Sequence, residues 1–226
     1  MPTFTSDIRD PNLSDNSLSL EEKRIKVQSL ITALRSPSPA AELSNLKEAG
    51  FFENFIPQIS RLWGPDGEQD PKWHPEGDTW QHTLLVVEAI KENNDVVLLL
   101  AALFHDIGKP DTIKRWPTGI SNHGHAEKGM EIFKNQISGL LELPPDIEKK
   151  LCFLIKHHMD VHYYYDPERN ISSQTKQEIL SSPYLEDLLK LNEADSLGTT
   201  NDNISRIDRN NRDRIRKEAK KFKHNL

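Results

Sequence analysis

An all-α fold is what this 226-residue sequence predicts, and three observations predict it. Apolar residues recur at three- and four-residue intervals through most of the chain, which is the period of a helix face. No stretch alternates apolar and polar residues as a half-buried strand does. Stretches holding Pro and Gly punctuate the periodic segments, so the helices are short and pack around one core. No internal repeat is visible.

Each element follows in order. Residues 1–19 are rich in Ser, Asp, Asn and Pro without periodicity and read as a disordered tail. "SLEEKRIKVQSLITAL" starts at Ser19 with Glu22 three residues on, a capping-box pattern that opens a helix. "SPSP" at 36–39 ends it. "PAAELSNLKEAGFFENFIPQISRLWG" gives two short helices divided at Gly50, and "GPDGEQDPKWHPEGD" is a long loop holding Trp73 and His74. Helical segments follow at 79–93, 96–107, 125–138, 145–159 and 183–198. A charged helix at 202–223 closes the chain, with Ile204, Ile207, Ile215, Ala219 and Phe222 at roughly helical spacing. The expected organisation is a tail (1–19), leading helices (20–66), a main domain (67–200) and a C-terminal amphipathic helix (201–226).

Composition excludes several classes. No run approaches the ~20 apolar residues of a membrane helix. The N-terminus lacks a basic start followed by an apolar stretch, so it is not a signal peptide. With one cysteine, Cys152, there is no disulfide framework and no thiolate metal site, and the expected location is the cytoplasm. A formal charge of −6 argues against an extended nucleic-acid surface. A terminal piece of nucleic acid can still bind at a local cationic site. The basic "RIRKEAKKFKHNL" is read as a solvated helix face, contact with a phosphate backbone being the alternative. Nothing in the sequence defines the oligomeric state.

The chemistry is concentrated in "LLLAALFHDIGKPDT", where an apolar helix ends on His105 and Asp106. Burying an imidazole and a carboxylate there costs several kcal/mol unless both find partners. His82 stands among Leu85, Val86 and Ala89 at helical spacing, and Asp195 follows Leu188 and Leu191. His157 and His158 end the helix of Leu151, Leu154 and Ile155, and His125 opens another. Any one of these taken alone reads as an ordinary core histidine or a helix cap. His82, His105, Asp106, His157 and Asp195 together put nitrogen and oxygen donors on four facing helices, which calls for a cation. Imidazole with carboxylate suits Zn, Fe, Ni, Co or Mn.

The pattern His82, His105–Asp106, Asp195 resembles that of the HD-domain metal-dependent phosphohydrolases. The words "DPKWHPEGDTWQHTLLVVE", "LLAALFHDIGKPDT", "HGHAEKG", "IKHHM" and "ADSLG" are similar to the HD domain of bacterial CCA-adding tRNA nucleotidyltransferases. The resemblance spans roughly residues 20–200. It implies one divalent transition metal held by His82, His105, Asp106 and Asp195. It implies room for a second through His125 (with Gly129 in an H-x-x-x-G step) and His157, with His158 beside it contacting substrate. Asp106 would be catalytic, orienting the attacking water. Lys109 would contact phosphate, although a surface lysine complementing a helix dipole is the alternative. Trp73 and His74 either line the pocket or pack on it.

The CCA-adding enzymes also carry a head with a Gly-Ser step and paired carboxylates. This sequence has no Gly-Ser dipeptide, and the residues ahead of position 20 are too few for a head, so nucleotide addition is not expected. The expected activity is opening of 2',3'-cyclic phosphates or removal of 2'-phosphates from a nucleotide or an RNA 3'-end. The alternatives are hydrolysis of dNTPs or nucleoside monophosphates, and a non-catalytic helical module that binds RNA or protein.

Overall fold

The computed structural model describes residues 18–169, 171–199 and 202–224, the stretch 202–205 as backbone only. The expected disordered tail lies outside the described residues up to position 17. The rest is helical, as the periodicity requires: α1 (Leu20–Leu34), α2 (Pro39–Glu48), α3 (Phe51–Phe55), α4 (Pro57–Ser60), α5 (Thr79–Ile90), α6 (Val96–Phe104), α7 (Lys109–Thr112), α8 (His125–Ile132), α9 (Pro145–Tyr163), α10 (Ser173–Ser181), α11 (Leu185–Gly198) and α12 (Asp202–His224).

Local chemistry sets many of the boundaries. Ser19 and Glu22 form the expected capping box: the Glu22 amide donates to Ser19 Oγ at 3.3 Å, and the Ser19 amide to Glu22 Oε2 at 2.8 Å. Asp78 and Asp95 accept the amides of Gln81 and Val97 and so start α5 and α6. Pro39, Pro57 and Pro145 occupy first turns, where a missing N–H costs nothing. Gly50 turns the chain with φ +68° between α2 and α3, and Pro57 forces the additional division into α3 and α4.

Three elements lie outside the expected segments, the four-residue α7 and the two that follow. Lys114–Trp116 and Gly119–Ser121 form a small antiparallel hairpin, too short and too exposed to show an alternating pattern. Ser172 caps α10, whose buried residues are only Ile179 and Leu180 and so leave little periodic signal. In addition, α9 runs to Tyr163, one turn beyond the segment expected, and the end of the 125–138 segment is a π turn at Phe133–Ile137.

α6 is the central rod. Val97 through Phe104 are all buried, and α6 packs against α5, α9 and α11. Each large apolar side chain buried there contributes ~1.5–3 kcal/mol, which offsets the cost of the polar cluster at the C-terminal end. The leading helices pack on α5, the Phe52 ring meeting Trp80 edge-on at 5.4 Å. Ile207 of α12 is exposed, contrary to the expected stripe. Ile215 and Ala219 of that stripe are buried as expected, joined on the inward face by Asp208, Asn211 and Arg212, and the side chain of Ile204 lies outside the described residues.

Candidate metal centre

The turn after α6 brings His105 and Asp106 against the start of α8. Gly108 makes this possible, because a Cβ there would lie 2.2 Å from the His125 carbonyl oxygen and 2.5 Å from the Gly129 amide. The glycine of "HDIGK" and the glycine of "HAEKG" are thus a matched close approach that places Asp106 beside His125.

The donors converge as two buried groups. In the first, ligand atoms of His82, His105 and Asp195 lie within 4.8 Å of one another; in the second, those of Asp106, His125 and His158 do. His82 Nε2 is 2.9 Å from Asp195 Oδ1, and His105 Nε2 is 3.9 Å from the same oxygen. Asp106 joins the groups: Oδ1 is 3.2 Å from His125 Nε2 and 3.7 Å from His158 Nε2, and Oδ2 is 3.1 Å from His105 Nε2. His125 and His158 face each other nitrogen to nitrogen at 3.1 Å.

The four rings share one orientation. Nδ1 of His105 donates to the Ala102 carbonyl, Nδ1 of His125 to Asn122 and Nδ1 of His158 to Ile155, at 2.7–2.8 Å. Nδ1 of His82 donates to Glu76 Oε1 at 2.9 Å. With Nδ1–H committed outward, the neutral ring presents the Nε2 lone pair inward. The Nε2 lone pairs of His105, His125 and His158 and the Nε2 of His82 then point at one another and at two carboxylates, and among the described residues buried His105 Nε2 has no hydrogen-bond partner. Outward carbonyl or carboxylate partners are how proteins orient histidines on a metal. The donor set therefore fits a divalent ion.

His157 does not join the cluster, contrary to expectation. The helical register turns it away: Nδ1 is 2.6 Å from Asp160 Oδ2, and Nε2 is 3.3 Å from Glu178 Oε1. His158, one residue on, holds the inward position. Lys109 is buried rather than a surface cation, with Nζ 2.6 Å from both Asp106 Oδ2 and Gln69 Oε1. Trp73, about half exposed, and His74, 2.8 Å from Glu76 Oε1, line a cavity of about 690 Å³ over the cluster. Tyr163, Lys156 and Arg169 line the same cavity.

Three partners were not read from the sequence. Glu76 comes from an aperiodic loop. His162 follows His158 by four residues, and that i,i+4 spacing was the available signal. Asp208 lies seven residues before Ile215 on the same helical face.

Charges within the cluster follow from its geometry. Burial by itself disfavours the charged form of His82, but bonds to Asp195 and Glu76 overcome this and raise its pKa to about 9. Burial lowers His158 to about 4, against the help of Asp106. Burial works against ionised Asp106 and Asp195 too, yet His105 and Lys109 hold the first, and His162 and His82 the second, well below the usual carboxylate range. His82 would have to give up its Nε2 proton to hold a metal ion. Apparent affinity should therefore rise about tenfold per pH unit from pH 7 up to about 9, where His82 loses its proton unaided. Titration calorimetry with Mn²⁺ across that range checks this; an affinity independent of pH contradicts it.

A helical core that closes histidines and aspartates into such a centre, in the HD arrangement of the family profile below, is that of a metal-dependent phosphohydrolase. An HD-domain family profile matches residues 78–199, more than half of the chain, and the chain belongs to the HD family. It is similar to a multifunctional CCA protein of Psychromonas ingrahamii, 33% identical over 137 residues. That match covers 60% of this chain and 32% of the relative, so the chain spans about a third of the relative's length. Among the described residues no helix is long and apolar enough to cross a membrane.

Proposed function

We propose that the chain hydrolyses a phosphoester of a nucleotide or an RNA 3'-end, of the 2',3'-cyclic phosphate or 2'-phosphomonoester type. The carrying observation is the convergence of four Nε2 atoms and two carboxylates in two adjoining buried groups, linked by Asp106 beside a buried lysine. His82, His105 and Asp195 would hold one divalent ion and His125 with His158 a second, Asp106 standing between them. Ni, Mn, Co, Fe and Zn all suit such ligands. A bound ion supplies water acidic enough to ionise near neutral pH and offsets charge on the phosphoryl oxygens.

The chain's own residues do the rest. Asp106 accepts a hydrogen bond from the attacking water and fixes its line towards phosphorus. Lys109, already aimed at Asp106, moves its ammonium onto the phosphoryl oxygens as the new P–O bond forms and the ester P–O bond breaks, the departing sugar oxygen taking up a proton in place of the one the water gave up. Trp73 offers an aromatic face at the mouth of a cavity roomy enough for a nucleotide. The likeness to a multifunctional CCA protein favours an RNA-end substrate over a free dNTP.

The test compares 2',3'-cyclic AMP and 2'-AMP with 3'-AMP and a dNTP panel under each divalent metal in turn. Opening of the cyclic phosphate or release of the 2'-phosphate is expected. Lys109→Ala should lower kcat by ~10²–10³-fold with little change in KM, since its charge serves the transition state more than the ground state. Turnover of dNTPs with an untouched cyclic phosphate would move the chain to nucleotide-pool hydrolysis.

A further inference from the structure

The C-terminal helix α12 lies beyond the stretch that matches the family profile, yet it sends a carboxylate to the metal centre. Asp208 is only 2% exposed. Its Oδ2 accepts from His162 Nδ1 at 2.7 Å and from Ser196 Oγ at 2.7 Å. The other ring nitrogen, His162 Nε2, is 2.8 Å from Asp195 Oδ2. With a carboxylate at each nitrogen the ring donates both ways, and it forms a rigid strut between Asp208 and Asp195. Asn192 packs beside the ring, its Oδ1 accepting from Arg212 of α12 at 2.9 Å.

The consequence is directional. Asp195 has two oxygens with separate tasks: Oδ2 is taken by His162, and Oδ1 faces His82 and His105. If Oδ2 were free, the carboxylate could rotate about its Cβ–Cγ bond and turn Oδ1 out of the donor set. We propose that Asp208, acting through His162, positions Asp195 for metal, so that α12 is an integral part of the centre. Asp208 and His162 are positioning residues and need touch neither metal nor substrate. This rests on the reading of the cluster as a metal site.

The test is calorimetric titration of the chelator-treated full chain with Mn²⁺, alongside kcat and KM at limiting and saturating metal. Asp208→Asn and His162→Gln should each weaken Mn²⁺ binding by ~10–100-fold, the usual effect of losing an outer partner. Turnover should recover to within a few-fold at saturating metal with KM unchanged. Tyr165→Phe is the control. It removes another anchor of the same helix, the Tyr165 hydroxyl that donates to Glu218 Oε2 at 2.7 Å, and should leave Mn²⁺ affinity as in wild type. If Asp208→Asn does not fold, His162→Gln carries the test. Wild-type affinity in the Asp208 and His162 variants overturns the proposal, as does an equal loss in Tyr165→Phe. A wild-type chain that binds no Mn²⁺, Ni²⁺ or Co²⁺ overturns the metal reading itself, which separates the two failures.

Discussion

Asp106→Ala should lower turnover at least a thousandfold, about 4 kcal/mol of transition-state stabilisation at ~1.4 kcal/mol per factor of ten. Asp106 stands between the two donor groups, with Oδ1 towards His125 and His158 and Oδ2 towards His105 and Lys109. Its loss removes a charged ligand from each group at once. It also strands the buried Lys109 ammonium, and breaking a buried pair on one side costs ~3–5 kcal/mol of stability. Asp106→Asn keeps the shape and a hydrogen-bonding oxygen while removing the charge, so it separates catalysis from folding. Both variants should be inactive, with Asp106→Asn retaining the wild-type circular dichroism spectrum. More than a tenth of wild-type turnover in Asp106→Asn would place the chemistry elsewhere.

The second large effect is a contrast between neighbours. His158→Ala should cost a hundredfold or more in turnover, at least the loss of an outer metal partner (~10–100-fold), and should lower metal content. Its Nε2 stands 3.1 Å from His125 Nε2 and 3.7 Å from Asp106 Oδ1. His157→Ala should leave turnover within about fivefold and metal content unchanged, its cost being ~1–2 kcal/mol of stability from a lost buried hydrogen bond. Steady-state kinetics on the two purified variants decides this. A His157 variant as impaired as the His158 variant would show that the helix presents the other ring to the centre in solution.

That contrast marks where the sequence stops being legible. A His-His step on an apolar helix says that an imidazole faces inward. Which one does is fixed by a rotation of about 100° per residue, smaller than the error in placing a helix start by eye. The inward set His82, His105, Asp106 and Asp195 was legible because its helices carry apolar neighbours in register that are themselves buried, Val86, Leu98, Leu188 and Leu191, although Leu85, also in register with His82, is exposed. The buried aim of Lys109 was not. It depends on Gly108 letting the α6 turn press onto α8, and on Gln69, a loop residue, reaching the ammonium. Glu76 and Asp208 were hidden for the same kind of reason. One lies on an aperiodic loop, and the other is a charge on a helix whose polar residues read as solvated. All-α architecture needed no such detail, since it follows from periodicity alone. The short hairpin and α10 escaped because neither buries enough apolar surface to imprint a period.

Elemental analysis tests the central claim most directly. The measurement is made on the full chain purified without chelator, then again after reconstitution with Mn²⁺, Ni²⁺ or Co²⁺. The expected result is at least one divalent transition-metal ion per wild-type chain, with a second where His125 and His158 are occupied, and a near-complete loss in Asp106→Ala. A wild-type chain that holds no such ion after reconstitution with all three would contradict the account.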